Sequence, residues 1–125
     1  MIHYAKMKYI ATCSFYDAIE RGDNRLVAAE KTVSIANSYE GVDRIIIIFT
    51  IVSKLIALNV ELTSDLLNYT ISAVKSFQSI SKAKLNEFIP RGEFVQDLEV
   101  ESRIIVFALG KRYNTDVLNG AMEGE

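Results

Sequence analysis

Hydrophobic and polar residues in the first segment of the chain recur with the 3.6-residue period of an α-helix. On a helical wheel, one apolar side gathers Tyr4, Met7, Ala11, Phe15, Ala18 and Ile19. A second apolar set lies roughly opposite and consists of Ile2, Ala5, Tyr9, Cys13 and Tyr16. Because an ordinary surface helix has one apolar side, we predict two partners for this helix. The second side is either buried within the monomer or a docking surface.

The second segment carries start and stop signals of its own. Asp23 follows Gly22 at the position of an N-cap, so a helix is predicted from Asn24 to about Tyr39. Its inward residues are predicted to be Leu26, Ala29, Val33 and Ala36. Gly41 then offers a left-handed stop, and Asp43 offers a cap for the next helix.

The most apolar stretch is RIIIIFTIVSK, from Arg44 to Lys54. Its β-branched residues favour a strand, and it lacks a two-residue alternation, so a strand buried on both faces competes with a buried helix. The apolar pattern continues to Leu58, which is long for a strand, and we therefore predict a buried helix from Asp43 to Leu58. A membrane span needs about 20 apolar residues, so we predict that this segment does not cross a bilayer.

Two further helices are predicted after residue 62. Thr63 caps the first, which either runs to Pro90 or breaks near residues 78–81. The last runs from Glu93 to Leu109 and is stopped by Gly110. Predicted inward residues of the two helices are Leu66, Leu67, Ala73, Val74, Phe77, Leu85 and Phe88, then Phe94, Leu98, Ile105 and Leu109. A stripe of mostly small residues is interpreted as solvated: Asp65, Ser72, Ser76, Ser79 and Ala83.

These elements predict an all-α fold, a compact bundle of about five helices with a buried central helix. We expect residues 1–113 to form a single domain and residues 114–125 to form a polar, flexible tail. Half of the 125 residues are hydrophobic and 24% are charged, which is typical of a chain that folds around its own core.

Composition narrows the classes of function. The formal net charge is -2, so no overall field draws the protein onto nucleic acid or anionic lipid. The single cysteine excludes an intrachain disulfide, and Asp17 interrupts what an export signal would need. We therefore expect a cytoplasmic protein. The glycines are too isolated for a phosphate-binding loop, and we expect no cofactor.

Candidate catalytic and metal-binding residues are few. His3 is the only histidine, and it lies near a chain end, where a catalytic base lacks a fixed geometry. Glu93, Asp97 and Glu101 share one helix edge, but no histidine stands three residues from a glutamate, as bundle metal centres require. We interpret this edge as solvated and predict neither a metal site nor an enzyme.

Nucleic-acid binding is the alternative function that we consider. Residues 54–84 resemble the layout of a helix-turn-helix in outline. The basic residues available to it are Lys75, Lys82, Lys84 and Arg91. The three lysines come late in the would-be recognition helix, which opens with the phosphate-repelling Glu61 and Asp65, so this alternative is not favoured.

The preferred hypothesis is a non-enzymatic protein–protein interaction module, such as an adaptor, an inhibitor or a small subunit of a larger complex. Tyrosine has an apolar body with a polar tip and is enriched at interfaces. The predicted partner-binding residues are therefore Ile2, Tyr9, Cys13 and Tyr16. The partner is predicted to be another protein or a second copy, as in a homodimer.

Overall fold

The computed structural model describes residues 3–80 and 93–113. Within these ranges every regular element is an α-helix, which confirms the all-α prediction. The helices are α1 (His3–Glu20), α2 (Arg25–Ala36), α3 (Val42–Ala57), α4 (Ser64–Ser79) and α5 (Glu93–Tyr113). Among these described helices, none combines the length and the apolar character that crossing a membrane requires.

The helix α3 is the centre of the bundle, because it packs against each of the other four helices. Residues 45–52 are all buried, as is Leu55. This confirms the buried helix and excludes the strand. A helix that is apolar all round needs neighbours on every side. The low helix propensity of isoleucine costs less than about 0.7 kcal/mol per residue, whereas burying each side chain stabilises the fold by roughly 1.5–3 kcal/mol.

The remaining helices turn one predicted side toward α3. All predicted inward residues with described side chains are buried or partly buried. The fully or nearly buried ones are Tyr4, Met7, Ala11, Phe15, Ala18, Ala29, Val33, Ala36, Leu66, Ala73, Val74, Phe77, Leu98, Ile105 and Leu109. The predictions for Ala83, Leu85, Phe88 and the Phe94 side chain fall outside the described part of the chain, as does the predicted tail at residues 114–125.

Threonines inside the bundle bond to their own helices. Thr50 Oγ1 donates to the carbonyl oxygen of Ile46 at 2.7 Å, and Thr70 Oγ1 donates to that of Leu66 at 2.7 Å. Such i to i-4 bonds let a helix bury a hydroxyl without losing a hydrogen bond. Ser53 differs, because within the described structure its buried Oγ has no hydrogen-bond partner.

Two predicted N-caps were wrong by one or two residues. Asn24, not Asp23, caps α2, and its Oδ1 accepts from the Val27 amide at 2.9 Å. The Asp23 carboxylate, which precedes α2, instead forms an ion pair with Lys31 of α2. At α3 the N-cap is Gly41, with a φ of 61° and no side-chain cap bond, and Asp43 lies within the first turn. The left-handed Gly41 was predicted, but it begins α3 rather than ending α2.

Helix ends also differ from prediction. The regular helix α2 ends at Ala36, and a tighter turn follows in which the Asn37 amide donates to Ser34. Of the two predicted ends for α4, the break is confirmed, because the helix ends at Ser79. The predicted stop at Gly110 was wrong.

Hydrogen bonds join the C-terminal end of α5 to the C-terminal end of α3. Arg112 donates to Asn59 Oδ1 at 2.8 Å and to the Ile56 carbonyl oxygen at 3.4 Å. Asn59 has a left-handed φ of 58°, which asparagine tolerates better than most residues. Glycine inside a helix costs about 1 kcal/mol of stability. The hydrogen bonds of Arg112 form only if α5 continues past Gly110, so they offset this cost.

Replacing Leu55 tests how much α3 depends on complete burial. Leu55 is 0% exposed, whereas Leu58, one turn later, is 41% exposed. We expect Leu55→Ala to lower the free energy of unfolding by about 2–5 kcal/mol, since it removes a buried side chain and leaves a cavity. The matched control Leu58→Ala should lose less than about 1 kcal/mol. Urea denaturation measures both, and equal losses would contradict a buried α3.

Replacing Ser53 tests the unpaired hydroxyl. We expect Ser53→Ala to raise the free energy of unfolding by about 1 kcal/mol, because alanine removes an unsatisfied polar atom and favours the helix. Ser72→Ala, at an exposed position of α4, supplies only the propensity gain and should stabilise by about 0.5 kcal/mol or less. A loss of stability in Ser53→Ala would show that its hydroxyl has a partner.

Candidate functional site

The second apolar side of α1 is largely uncovered in the monomer. Tyr9 is 61% exposed and Tyr16 is 48% exposed, while Cys13 is half-buried between them. We refer to these three residues as the tyrosine face. The reading in which this side is buried within the monomer is therefore wrong for both tyrosines. Ile2, the fourth predicted member, lies outside the described residues.

The Tyr16 ring is held by its neighbours although it faces solvent. It meets the Phe15 ring edge to face, with centroids 5.3 Å apart and an interplanar angle of 75°. The Lys54 Nζ lies 5.3 Å from the Tyr16 centroid, a distance at which a cation is attracted by the aromatic ring. A ring that is already positioned loses little side-chain freedom when a partner covers it.

A groove runs beside Tyr9 between α1 and α2. Its volume is about 510 Å³, and Ile10, Ala18 and Ile35 give it an apolar lining. Charged residues around it are Asp17, Arg21, Asp23 and Lys31, of which the last two pair with each other. An apolar lining inside a charged edge suits an apolar side chain presented by another protein.

Cys13 changes the electrostatics of Tyr9. The neighbouring Cys13 thiol raises the pKa of the Tyr9 phenol, and the charge of Asp17 raises it further. A raised pKa keeps the phenol neutral to a higher pH.

The helix α5 exposes a second apolar surface that the sequence analysis missed. Val100, Ile104 and Phe107 are 55%, 55% and 59% exposed, and we call them the α5 stripe. They lie opposite the buried side of the helix that contains Leu98 and Ile105. The signal was present in the sequence as apolar residues spaced four and three apart. It was overlooked because one apolar side had already been assigned to the core.

One ion pair links α1 to α5. The Lys8 Nζ lies 3.4 Å from Glu101 Oε2. Burial lowers the pKa of Lys8, but the charge of Glu101 and the contact with Tyr4 outweigh it, so the pKa is raised. Burial also raises the pKa of the Tyr4 phenol. Glu101, one of the three carboxylates on the acidic edge, is thus engaged by a lysine.

The remaining chemistry-bearing residues can be placed only where their side chains are described. Asp97 is exposed, and the side chains of Glu93 and His3 fall outside the described part. Within residues whose side chains are described, no group of three or more histidines, cysteines or carboxylates is placed to hold a metal ion.

The small-residue stripe of α4 borders a second groove. Asp65, Ser72, Ser76 and Ser79 are exposed, which confirms the solvated interpretation for them. The three serines line a groove of about 560 Å³ between α4 and the start of α3, together with Glu40, Arg44, Ile45, Ile48 and Tyr69.

The alternative nucleic-acid surface can be placed only in part. Lys75 is exposed on α4, whereas Lys82, Lys84 and Arg91 lie outside the described residues. Residues 58–63 connect α3 to α4, a longer connection than the three or four residues typical of a helix-turn-helix. The first helix of this layout is the buried α3, and the nucleic-acid alternative stays a prediction.

Comparison of the chain with models of protein families, with curated proteins and with solved structures finds no match. The two exposed apolar surfaces are therefore the features from which a function can be inferred.

The link between Cys13 and Tyr9 predicts a shift in titration. We expect Cys13→Ala to lower the pKa of Tyr9 toward its ordinary value, because the variant removes the neighbouring thiol that contributes most to the shift. Tyrosine ring NMR signals followed against pH report the change. The pKa of Tyr4, which is raised mainly by burial, should stay where it is and serves as the control. An unchanged Tyr9 titration would contradict the assigned cause.

Proposed function

We propose that this protein is a non-enzymatic protein–protein interaction module that associates with copies of itself through exposed helix faces. The observation that carries the proposal is the exposure of large apolar side chains on two helices whose opposite sides already supply the core. Tyr9 and Tyr16 lie on α1, and Val100, Ile104 and Phe107 lie on α5. Apolar residues clustered on a surface favour association, since covering them removes apolar area from water.

Packing in the bundle supports a role for these residues outside the fold. The buried sides of α1 and α5 already pack against α3. Tyr9 and the three residues of the α5 stripe are more than half exposed, and Tyr16 keeps 48% of its surface exposed beside Lys54 of α3. Aromatic residues are enriched in the centres of protein interfaces, and Tyr9, Tyr16 and Phe107 are of this class. The buried core, which includes Ile47 and Leu55, supports both surfaces, and neither surface is part of that core.

Sedimentation velocity over a wide range of protein concentration tests the proposed self-association. We expect the average mass to rise above that of the 14.0 kDa chain as concentration increases. High salt should leave the association largely intact, because apolar contacts are not screened as exposed charges are. A strict monomer at every concentration would contradict the proposal, and dissociation by salt alone would contradict its apolar basis.

A further inference from the structure

The α5 stripe continues into charged positions at both ends. Asp97 precedes Val100 by three residues, and Lys111 follows Phe107 by four, so residues 97, 100, 104, 107 and 111 alternate spacings of three and four. This is the spacing by which helices pair along an apolar contact line. Both terminal residues are exposed, and the Lys111 Nζ lies 5.0 Å from the Phe107 ring centroid.

Charge sign differs between the two ends, and this distinguishes the possible orientations of a second α5. Asp97 and Lys111 each stand seven residues from Ile104, which is about 10 Å along a helix. In a parallel pair, each charge would face its own copy and repel it. In an antiparallel pair centred on Ile104, Asp97 would face the partner's Lys111 at both ends.

The apolar centre of the stripe fits the same antiparallel arrangement. Val100 lies about 6 Å before Ile104, and Phe107 lies about 4.5 Å after it. Reversing one helix therefore brings Val100 close to the partner's Phe107, a small side chain against a large one. The two copies of Ile104 would meet at the two-fold axis. This makes the stripe complementary to itself, as a two-fold interface requires.

We propose that the occupant of the α5 stripe is a second copy of the same stripe, packed antiparallel about a two-fold axis at Ile104. The inference rests on the proposed function and names the surface and orientation of self-association. Three apolar side chains form a contact smaller than the roughly 800 Å² per partner of stable complexes. The expected dissociation constant is therefore in the micromolar range, about 1–100 μM.

Sedimentation equilibrium of Ile104→Asp tests the surface. Two aspartates would meet at the axis, and we expect the dissociation constant to rise at least about 50-fold. The matched control is Val27→Asp, which places the same charge on an exposed apolar position of α2 and should leave the dissociation constant unchanged. Circular dichroism should show both variants folded, since each position is exposed in the monomer.

A charge swap at low salt tests the orientation. D97K or K111D alone should weaken the dimer about 3- to 10-fold, because each replaces two attractions across the contact by two repulsions. The double variant D97K/K111D should restore the wild-type constant. In a parallel pair, either single change would exchange one repulsion for another, so unchanged constants in the single variants would overturn the antiparallel arrangement.

The failures of the two proposals differ. A wild-type dimer that Ile104→Asp leaves intact would place the contact elsewhere, such as the tyrosine face, and would overturn this inference while the proposed function stands. A wild-type protein that stays monomeric would overturn both, including the case in which another part of the chain or a different protein covers the stripe.

Discussion

The complete burial of α3 is the constraint on which the rest of the structure depends. A helix with isoleucine, valine or phenylalanine on every side cannot face water, so the other helices must surround it. The described packing follows from this requirement, because each of the four other helices contacts α3. The ion pair of Lys8 with Glu101 and the hydrogen bonds of Arg112 add links from α5 to α1 and to the end of α3.

Much of this architecture could be predicted from the sequence, because the burial of one side of a helix makes its apolar residues recur at a helical period. The positions that face α3 recur every three or four residues, and Phe15, Val33, Phe77 and Leu109 were all identified in this way. Length separated helix from strand at Ile45–Ile51, where β-branched residues alone favoured the wrong answer. Because a helical period is set by many residues together, it still predicts the helix when single residues in it favour a strand.

Helix ends were less predictable, because single contacts decide them. Asp23 and Asn24 are both good N-caps in isolation, and the pairing of Asp23 with Lys31 accompanies the choice of Asn24. Gly110 is a common stop, yet α5 passes through it and places Arg112 against Asn59. These contacts join residues far apart in sequence, so no local pattern reveals them.

The candidate surfaces were also predictable only in part: the sequence shows their apolar spacing but not their exposure. The two apolar sides of α1 were visible in the sequence, but only the structure shows that Tyr9 and Tyr16 remain exposed. On α5 the sequence also contained two apolar sides, and knowledge of which one packs on α3 turns the other into a candidate surface. Exposure is a property of the whole fold, whereas apolar spacing is a property of one helix.

Hydrogen exchange of the backbone amides tests the central claim most directly. A helix enclosed by four others opens only when the bundle unfolds, so amides of Ile46–Val52 should exchange most slowly in the chain and with the free energy of global unfolding. Fast exchange in this segment, or exchange well below the global unfolding free energy, would contradict the account.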